Sequence, residues 1–395
     1  MLKKIILIII ILCSLKFYQF IFIPDVAIKI SEWIGIGIIA ALIILYIVYG
    51  RERLYKQRFA LPVFLIFISV IISMFAAYGY HDQSFLDTAI AQNAIYFYLI
   101  YFLLHYMKMP GVFIIRVLIA FAFIYIGLYL LQYLMFPVQI TKSKMFLDRG
   151  TIRIFLSGAG YLVITYFIWL YLTFKKFNIK YVVFLLLALT IFVLLGTRQI
   201  IASILLLTIL FILQSRIIQS NVLIFSLIAI SVIPVYFIFQ DIIYAMFETT
   251  VEQSRAVESN VRVRAAEYFL TEFFPSNLAY LTGNGEHGSS MYGLKVIRIM
   301  EEHKFFQSDI GLIGEYTKFG ALYVLGVFII LYRVLTVKLP DKLMFIKYNF
   351  LGIILTLVTG AGAFGSSSTN ILINSMLLYL VDLYLDNEEA FSKYP

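Results

Sequence analysis

The chain alternates long apolar runs with short polar turns. Runs near the length of a helix that crosses the hydrocarbon core of a bilayer, about 20 residues, fall at 5–23, 30–50, 59–77, 86–107, 112–137, 154–174, 181–197, 199–214, 222–240, 308–333, 343–359 and 371–385. In lipid every backbone polar group must be satisfied inside a helix or a closed barrel. The pattern therefore predicts an all-α, polytopic membrane protein of about twelve transmembrane helices. The seventh and eighth runs share only the turn Gly196-Thr197-Arg198, and Lys16 and Gln19 interrupt the first. Residues 1–395 read as a single integral membrane domain, with a large extracytoplasmic loop at 241–307 between spans nine and ten.

That loop is patterned rather than random. Val261, Ala265, Tyr268, Phe269 and Phe273 recur at helical spacing, which predicts a helix from Ser259 to Phe274 with one apolar stripe. Pro275 ends it. A glycine-rich turn follows, Thr282-Gly283-Asn284-Gly285-Glu286-His287-Gly288-Ser289-Ser290, and then a polar stretch that reaches Glu301-Glu302-His303-Lys304. The loop is thus expected to be partly helical. No internal repeat, heptad array or low-complexity tract is visible.

Composition supports the membrane class. The chain is 62% hydrophobic and 13% charged, with mean hydropathy +0.95, against roughly half apolar and a quarter charged in soluble domains. A soluble enzyme, a disordered chain and a disulfide scaffold are all excluded on that ground. Cys13 stands alone in the sequence, so neither an intramolecular disulfide nor a multi-cysteine metal site can form. Lys3-Lys4 before the apolar run at Ile5 imitates a signal peptide, but no small-residue cleavage site follows and Leu12 spoils a lipoprotein site at Cys13. An uncleaved first span is expected.

Charge then orients the helices. The surplus is +9, from 31 basic and 22 acidic residues. With the N-terminus inside, one set of loops carries Arg51, Arg53, Lys56 and Arg58, then Lys108, then Lys175, Lys176 and Lys180, then Arg216, and finally Arg333, Lys338, Lys342 and Lys347. The opposite loops at 24–29, 78–85 and 359–370 hold Lys29 alone. The positive-inside rule puts both termini in the cytoplasm and the long loop outside. The surplus suits anionic lipid headgroups rather than nucleic acid. One outer loop departs from the rule: 138–153 carries Lys142, Lys144, Arg149 and Arg153 against Asp148. It reads either as a seat for an anionic ligand or as an anchor to anionic headgroups.

Several residues can carry chemistry. Arg198 sits at the tip of a hairpin between two apolar stretches; a guanidinium there is costly unless it meets water or an anion, and its planar fork matches phosphate. Snorkelling to the interface is the plain alternative. Arg262 and Arg264 are two apart at the start of the loop helix, so they point to different sides and at most one need face a given ligand; pairing with Glu258 or Glu267 is the alternative. His303 precedes the tenth run and can exchange protons near neutral pH. Asp309, six residues on, can orient it only if the backbone turns, and His287 in the glycine turn is a second candidate. Glu315 and Lys318 are three apart and are expected to pair on one helical face, with an ion pathway as the sharper alternative.

Other signals are negative. Gly283-Asn284-Gly285 lacks the lysine of a phosphate loop and follows no strand, so nucleotide binding is rejected. No Asp-x-Asp, His-x-x-x-His or Cys-x-x-Cys points to a metal. The small residues at 360–368 permit close approach of chain segments near the outer face.

Taken in order, these features resemble the bacterial O-antigen polymerase and O-antigen ligase superfamily of lipid-linked glycan glycosyltransferases. The likeness covers roughly 190–325. Leu195-Gly196-Thr197-Arg198 before an apolar helix is similar to its small-residue–Arg signature. Arg262-Val263-Arg264-Ala265-Ala266-Glu267-Tyr268-Phe269, then Leu281-Thr282-Gly283-Asn284-Gly285, resembles its arginine helix and glycine turn. His303, then Ser308-Asp309-Ile310-Gly311-Leu312-Ile313-Gly314 and Phe319-Gly320, resembles its histidine and glycine-spaced helix, the Ser-Asp-x-Gly pattern being closer to polymerases than to ligases. Many members carry Asn directly after the histidine, where this chain has Lys304.

The resemblance implies a metal-independent, inverting glycosyltransferase of the bacterial cytoplasmic (inner) membrane, without a cofactor, acting in lipopolysaccharide or capsule biosynthesis. The donor would be a glycan on undecaprenyl diphosphate and the acceptor a hydroxyl of a lipid-linked repeat unit. It implies Arg198 and Arg264 on the donor diphosphate with Arg262 assisting, Lys142, Lys144, Arg149 and Arg153 guiding the second diphosphate, and His303 orienting or deprotonating the acceptor. Asp309 and His287 are supporting candidates. The spans would hold the polyprenyl tails, and a chain-length regulator and a flippase are implied partners. An O-antigen ligase acting on lipid A-core is the near alternative. A transporter is the distant one, favoured by inverted repeats, broken helices and facing intramembrane charges.

Overall fold

The structure, a computed structural model, describes residues 1–49, 56–148, 151–214, 260–357, 364–365 and 367–387, with single positions 240, 244 and 391. Of the described residues, 77% are helical and 3% strand. Nine α-helices lie among the described residues up to Gln214: α1 Leu2–Ser14, α2 Asp25–Tyr49, α3 Ala60–His81, α4 Phe85–Ala91, α5 Leu99–Met107, α6 Gly111–Leu134, α7 Ala159–Lys175, α8 Ile179–Leu194 and α9 Arg198–Gln214. After the loop helices α10 Val261–Thr271, α11 Ala279–Thr282 and α12 Met291–His303 come α13 Leu312–Phe319, α14 Ala321–Thr336, α15 Met344–Thr356 and α16 Ser368–Asp386. The mostly helical class expected from the sequence holds, with one addition: a short hairpin, β1 Met145–Asp148 antiparallel to β2 Thr151–Ile154, with Phe146 opposite Arg153.

Four described helices are long and apolar enough to cross a membrane: α2, α3, α6 and α16. α7, α8, α9 and α14 are apolar but shorter. The predicted ninth run, 222–240, lies outside the described residues except for its last position. α16 is the central helix, with 83% of its most apolar window buried against 28% for α2. Its Leu372, Met376 and Tyr379 join Tyr101, Leu104, Leu118 and Tyr161 in the main core.

Three apolar runs are not single helices. The first stops at Ser14, and Lys16, Phe17, Tyr18 and Gln19 all take positive φ, a region that non-glycine residues seldom occupy. The chain reverses there, and Phe20 pairs with Thr141 while Gln19 O accepts from Lys142 N at 2.8 Å. The fourth run is divided between α4, a tight turn over Asn93–Tyr98 and α5. The tenth is broken at Gly320 into α13 and α14.

The break at Gly320 has a structural partner. A helix end leaves carbonyls without intrahelical donors. The glycine-rich turn supplies them: Asn284 N donates to Thr317 O at 2.9 Å and Gly285 N to Lys318 O at 2.8 Å. Gly283 and Gly320 both have positive φ, and a Cβ on either would collide with backbone of the other segment. Ser69 Oγ of α3 donates to Phe319 O. Irregular backbone is tolerated here because it is packed in protein. The pairing expected between Glu315 and Lys318 is corrected. Lys318 Nζ lies 2.8 Å from Glu286 in the glycine turn, while Glu315 accepts from Tyr323 Oη at 2.9 Å and Gly365 N at 2.6 Å.

The long loop owns a second, smaller core of Ala265, Phe269, Phe273, Tyr292, Val296, Ile299, Phe305 and Ile310. The predicted stripe therefore holds at Ala265, Phe269 and Phe273, whereas Val261 is exposed. α10 starts at Asn260, whose side chain accepts from Arg262 N at 3.0 Å, a typical N-cap.

Candidate functional site

The site begins at the end of α8. Gly196, at φ +63°, ends that helix in the left-handed form that favours glycine, and Thr197 O opens α9 by accepting from Ile200 N at 3.0 Å. Arg198 is thereby held, half-buried, at the first position of α9.

The hairpin lies over this turn. Thr151 Oγ1 donates to Leu194 O at 3.4 Å and Arg153 Nε to Leu195 O at 3.2 Å, so the strands cap carbonyls that α8 leaves open. Arg153 Nη1 meets Asp148 at 2.9 Å, and its guanidinium carbon lies 5.8 Å from the Phe146 ring and 5.1 Å from the Phe155 ring. A Cβ on Gly196 would sit 3.2 Å from the Arg153 side chain. Glycine at 196 thus suits the turn's positive φ and leaves room for the arginine that covers it.

Arg198 has two like-charged neighbours within Coulombic range, Arg262 and Arg153. Arg153 of β2, Arg198 of α9 and Arg262 of α10 thus share one electrostatic neighbourhood. Arg264, two residues beyond Arg262 and about 200° further round the helix, turns away from them. Its guanidinium carbon lies 5.7 Å from the Phe305 ring. Exposed His303, at the end of α12, also faces Phe305, at 5.4 Å, and Tyr268, at 6.5 Å. α10 therefore carries one arginine for each of two groups: Arg153, Arg198 and Arg262 in the first, and Arg264 with His303 around Phe305 in the second.

The other predicted residues are placed elsewhere. Lys142 is 2.5 Å from Asp25 and donates to Ile23 O at 2.8 Å, which ties two connecting segments together. Lys144 is exposed beside the hairpin. Arg149 lies outside the described residues. Asp309 is exposed in the turn Gln307–Ile310, with no hydrogen bond to His303. His287 contacts Glu286 at 3.2 Å. Burial opposes the charge on Glu286, but Lys318 and His287 outweigh it and hold the carboxyl at about 2.

Sequence reasoning missed the aromatic setting of the second group. Phe305 opens an aromatic pair, Phe305-Phe306, inside a polar stretch two positions after His303, and that pair was the available signal. It also missed α12, although Tyr292, Val296 and Ile299 stand at helical spacing.

Comparison of the chain with protein-family models, curated proteins and solved structures gives no match.

Proposed function

We propose that the chain is a polytopic polysaccharide polymerase of about twelve spans, with both termini cytoplasmic. It transfers a growing glycan from undecaprenyl diphosphate to a hydroxyl of a lipid-linked repeat unit, with inversion and without a metal ion. The observation that supports this reading is the basic turn itself: Arg153 Nε donates to Leu195 O at 3.2 Å over the turn that holds Arg198, and Arg262 lies within Coulombic range of Arg198. The leaving group of such a transfer is a diphosphate, and the main demand on the protein is to stabilise charge that develops there. Guanidinium forks bind phosphate bidentately. Arg153, Arg198 and Arg262 grip the donor diphosphate, while Arg264 and His303 serve the acceptor side, His303 orienting or deprotonating the hydroxyl.

A second reading, a lipid or glycan transporter, draws support from the interrupted helix at Gly320. One assay separates the two. Purified protein is given a lipid-linked repeat unit, with and without a chelator, and the products are sized. A ladder of lengths that survives chelation supports polymerisation. A product of single length or unchanged substrate sinks polymerisation, and chelator sensitivity would falsify the metal-free mechanism. Arg198→Ala and Arg262→Ala are each expected to lower the rate about 100-fold or more while membrane insertion is retained. Normal chain lengths in both sink the diphosphate assignment, and full activity in His303→Ala removes the histidine from the chemistry.

A further inference from the structure

α3 connects two different ends of the molecule. At His81 it meets the glycine turn, where the ring nitrogen Nε2 lies 3.2 Å from Asn284 Oδ1. At Ala60, about 33 Å away for a helix of this length, it opens onto a cavity of about 600 Å³ that the arginine groups do not reach. Lys56, Arg58 and Arg333 line its rim, and Leu61, Val337 and Leu385 form its wall.

The rim is built, not incidental. Arg333 Nη1 donates to Arg58 O. Arg58 Nη1 stands 2.8 Å from Asp386 and 3.8 Å from Asp382. The backbone is clamped to the same carboxylates, Lys56 N to Asp386 at 2.6 Å and Arg58 N to Asp382 at 3.2 Å. Asp382, fully buried, also accepts from Tyr101 Oη at 2.5 Å and lies 3.3 Å from His105 Nε2. Among the described residues, two carboxylates thus fix the rim against three cations. The N-cap of α3, Phe59, offers no side-chain acceptor, so the positive end of that helix adds to the field. Below the rim the chemistry changes. Leu61 and Leu385 are 55% and 37% exposed, and they present hydrocarbon directly beside the charge.

A cationic rim over an aliphatic wall matches an amphiphile with an anionic head. The volume is that of a small-molecule site. We propose that this cavity binds one anionic phospholipid, its phosphate held by Lys56, Arg58 and Arg333 and its acyl chains laid along Leu61, Val337 and Leu385. The proposal rests on the membrane-spanning reading and is independent of the polymerase chemistry. A free phosphate ion would satisfy the rim but leave the wall unused.

The test uses full-length protein in detergent and native mass spectrometry with phosphatidylglycerol or phosphatidylcholine of equal chain length. Preferential retention of one phosphatidylglycerol is expected. Lys56→Gln and Arg333→Gln should each weaken it about fivefold, and Val337→Trp should block it by filling the cavity. Lys295→Gln, exposed on α12, should leave it unchanged. Lys56 is exposed, so its variant keeps the test open if Arg333→Gln does not fold. Equal retention of both lipids, unchanged retention in Lys56→Gln and Val337→Trp, or displacement by millimolar inorganic phosphate overturns the proposal. Cell fractionation tests the underlying reading separately: a chain recovered in the soluble fraction sinks the membrane assignment, whereas an integral chain without lipid preference sinks the site alone.

Discussion

Arg153 shows how one side chain can cover a helix end and still keep its charge near a second arginine. It caps Leu195 O, packs beside the stacked pair Phe146 and Phe155, and still places its charge within range of Arg198. Gly196 makes this possible, because any side chain there meets both a positive φ and the arginine itself. Gly196→Ala is therefore expected to cost about 1–2 kcal/mol and to lower polymer yield more than that loss explains, as measured by thermal unfolding and product sizing. Glu286 gives a pH prediction. The buried carboxyl is held at about 2 in the fold against an ordinary 4.5. As pH falls the unfolded loop takes up its proton first, so the stabilisation is complete above about 4.5 and disappears towards about 2. Glu286→Gln strands Lys318 and should cost about 3 kcal/mol at neutral pH, with a flatter stability profile below pH 5 in chemical denaturation.

Among the elements, the broken tenth run is the clearest departure from hydropathy. An apolar run of 26 residues at 308–333 reads as one helix, but Gly311 and Gly320 both adopt positive φ and divide it. The break persists because the turn at Gly283-Asn284-Gly285 supplies donors to Thr317 and Lys318. Hydropathy cannot register this, since the donors lie more than 30 residues away. Gly320→Ala and Gly283→Ala should each detach the turn, because the added Cβ meets backbone that cannot yield. Limited proteolysis should then cleave near Gly288 faster than in the wild-type chain; equal cleavage rates contradict the proposed contact.

At the scale of the whole molecule, charge asymmetry makes a topological prediction. Cys13 is buried, so the native background towards thiol reagents is low. With the orientation proposed above, a membrane-impermeant maleimide should label Lys144→Cys and Asp309→Cys in cells with a permeabilised outer envelope. Lys338→Cys should react only after the cytoplasmic membrane is opened. The reverse pattern inverts the protein, and with it the side of the membrane on which the arginines work.

Local periodicity was enough to mark what depends on neighbours in the chain: the mostly helical class, the apolar character of α2, α3, α6 and α16, the helix that begins near Val261, and the turn at Gly196. These follow from spacing and from residues such as glycine whose backbone options are intrinsic. The partnerships had to wait for the tertiary structure. Arg262 rather than Arg264 comes near Arg198, Lys142 goes to Asp25, and Lys318 goes to Glu286 rather than Glu315. A side chain's charge is written in the sequence, but which opposite or like charge it meets depends on how distant segments pack. The energies that decide this, burial and Coulombic interaction, fall off with distance in space and carry no signature along the chain.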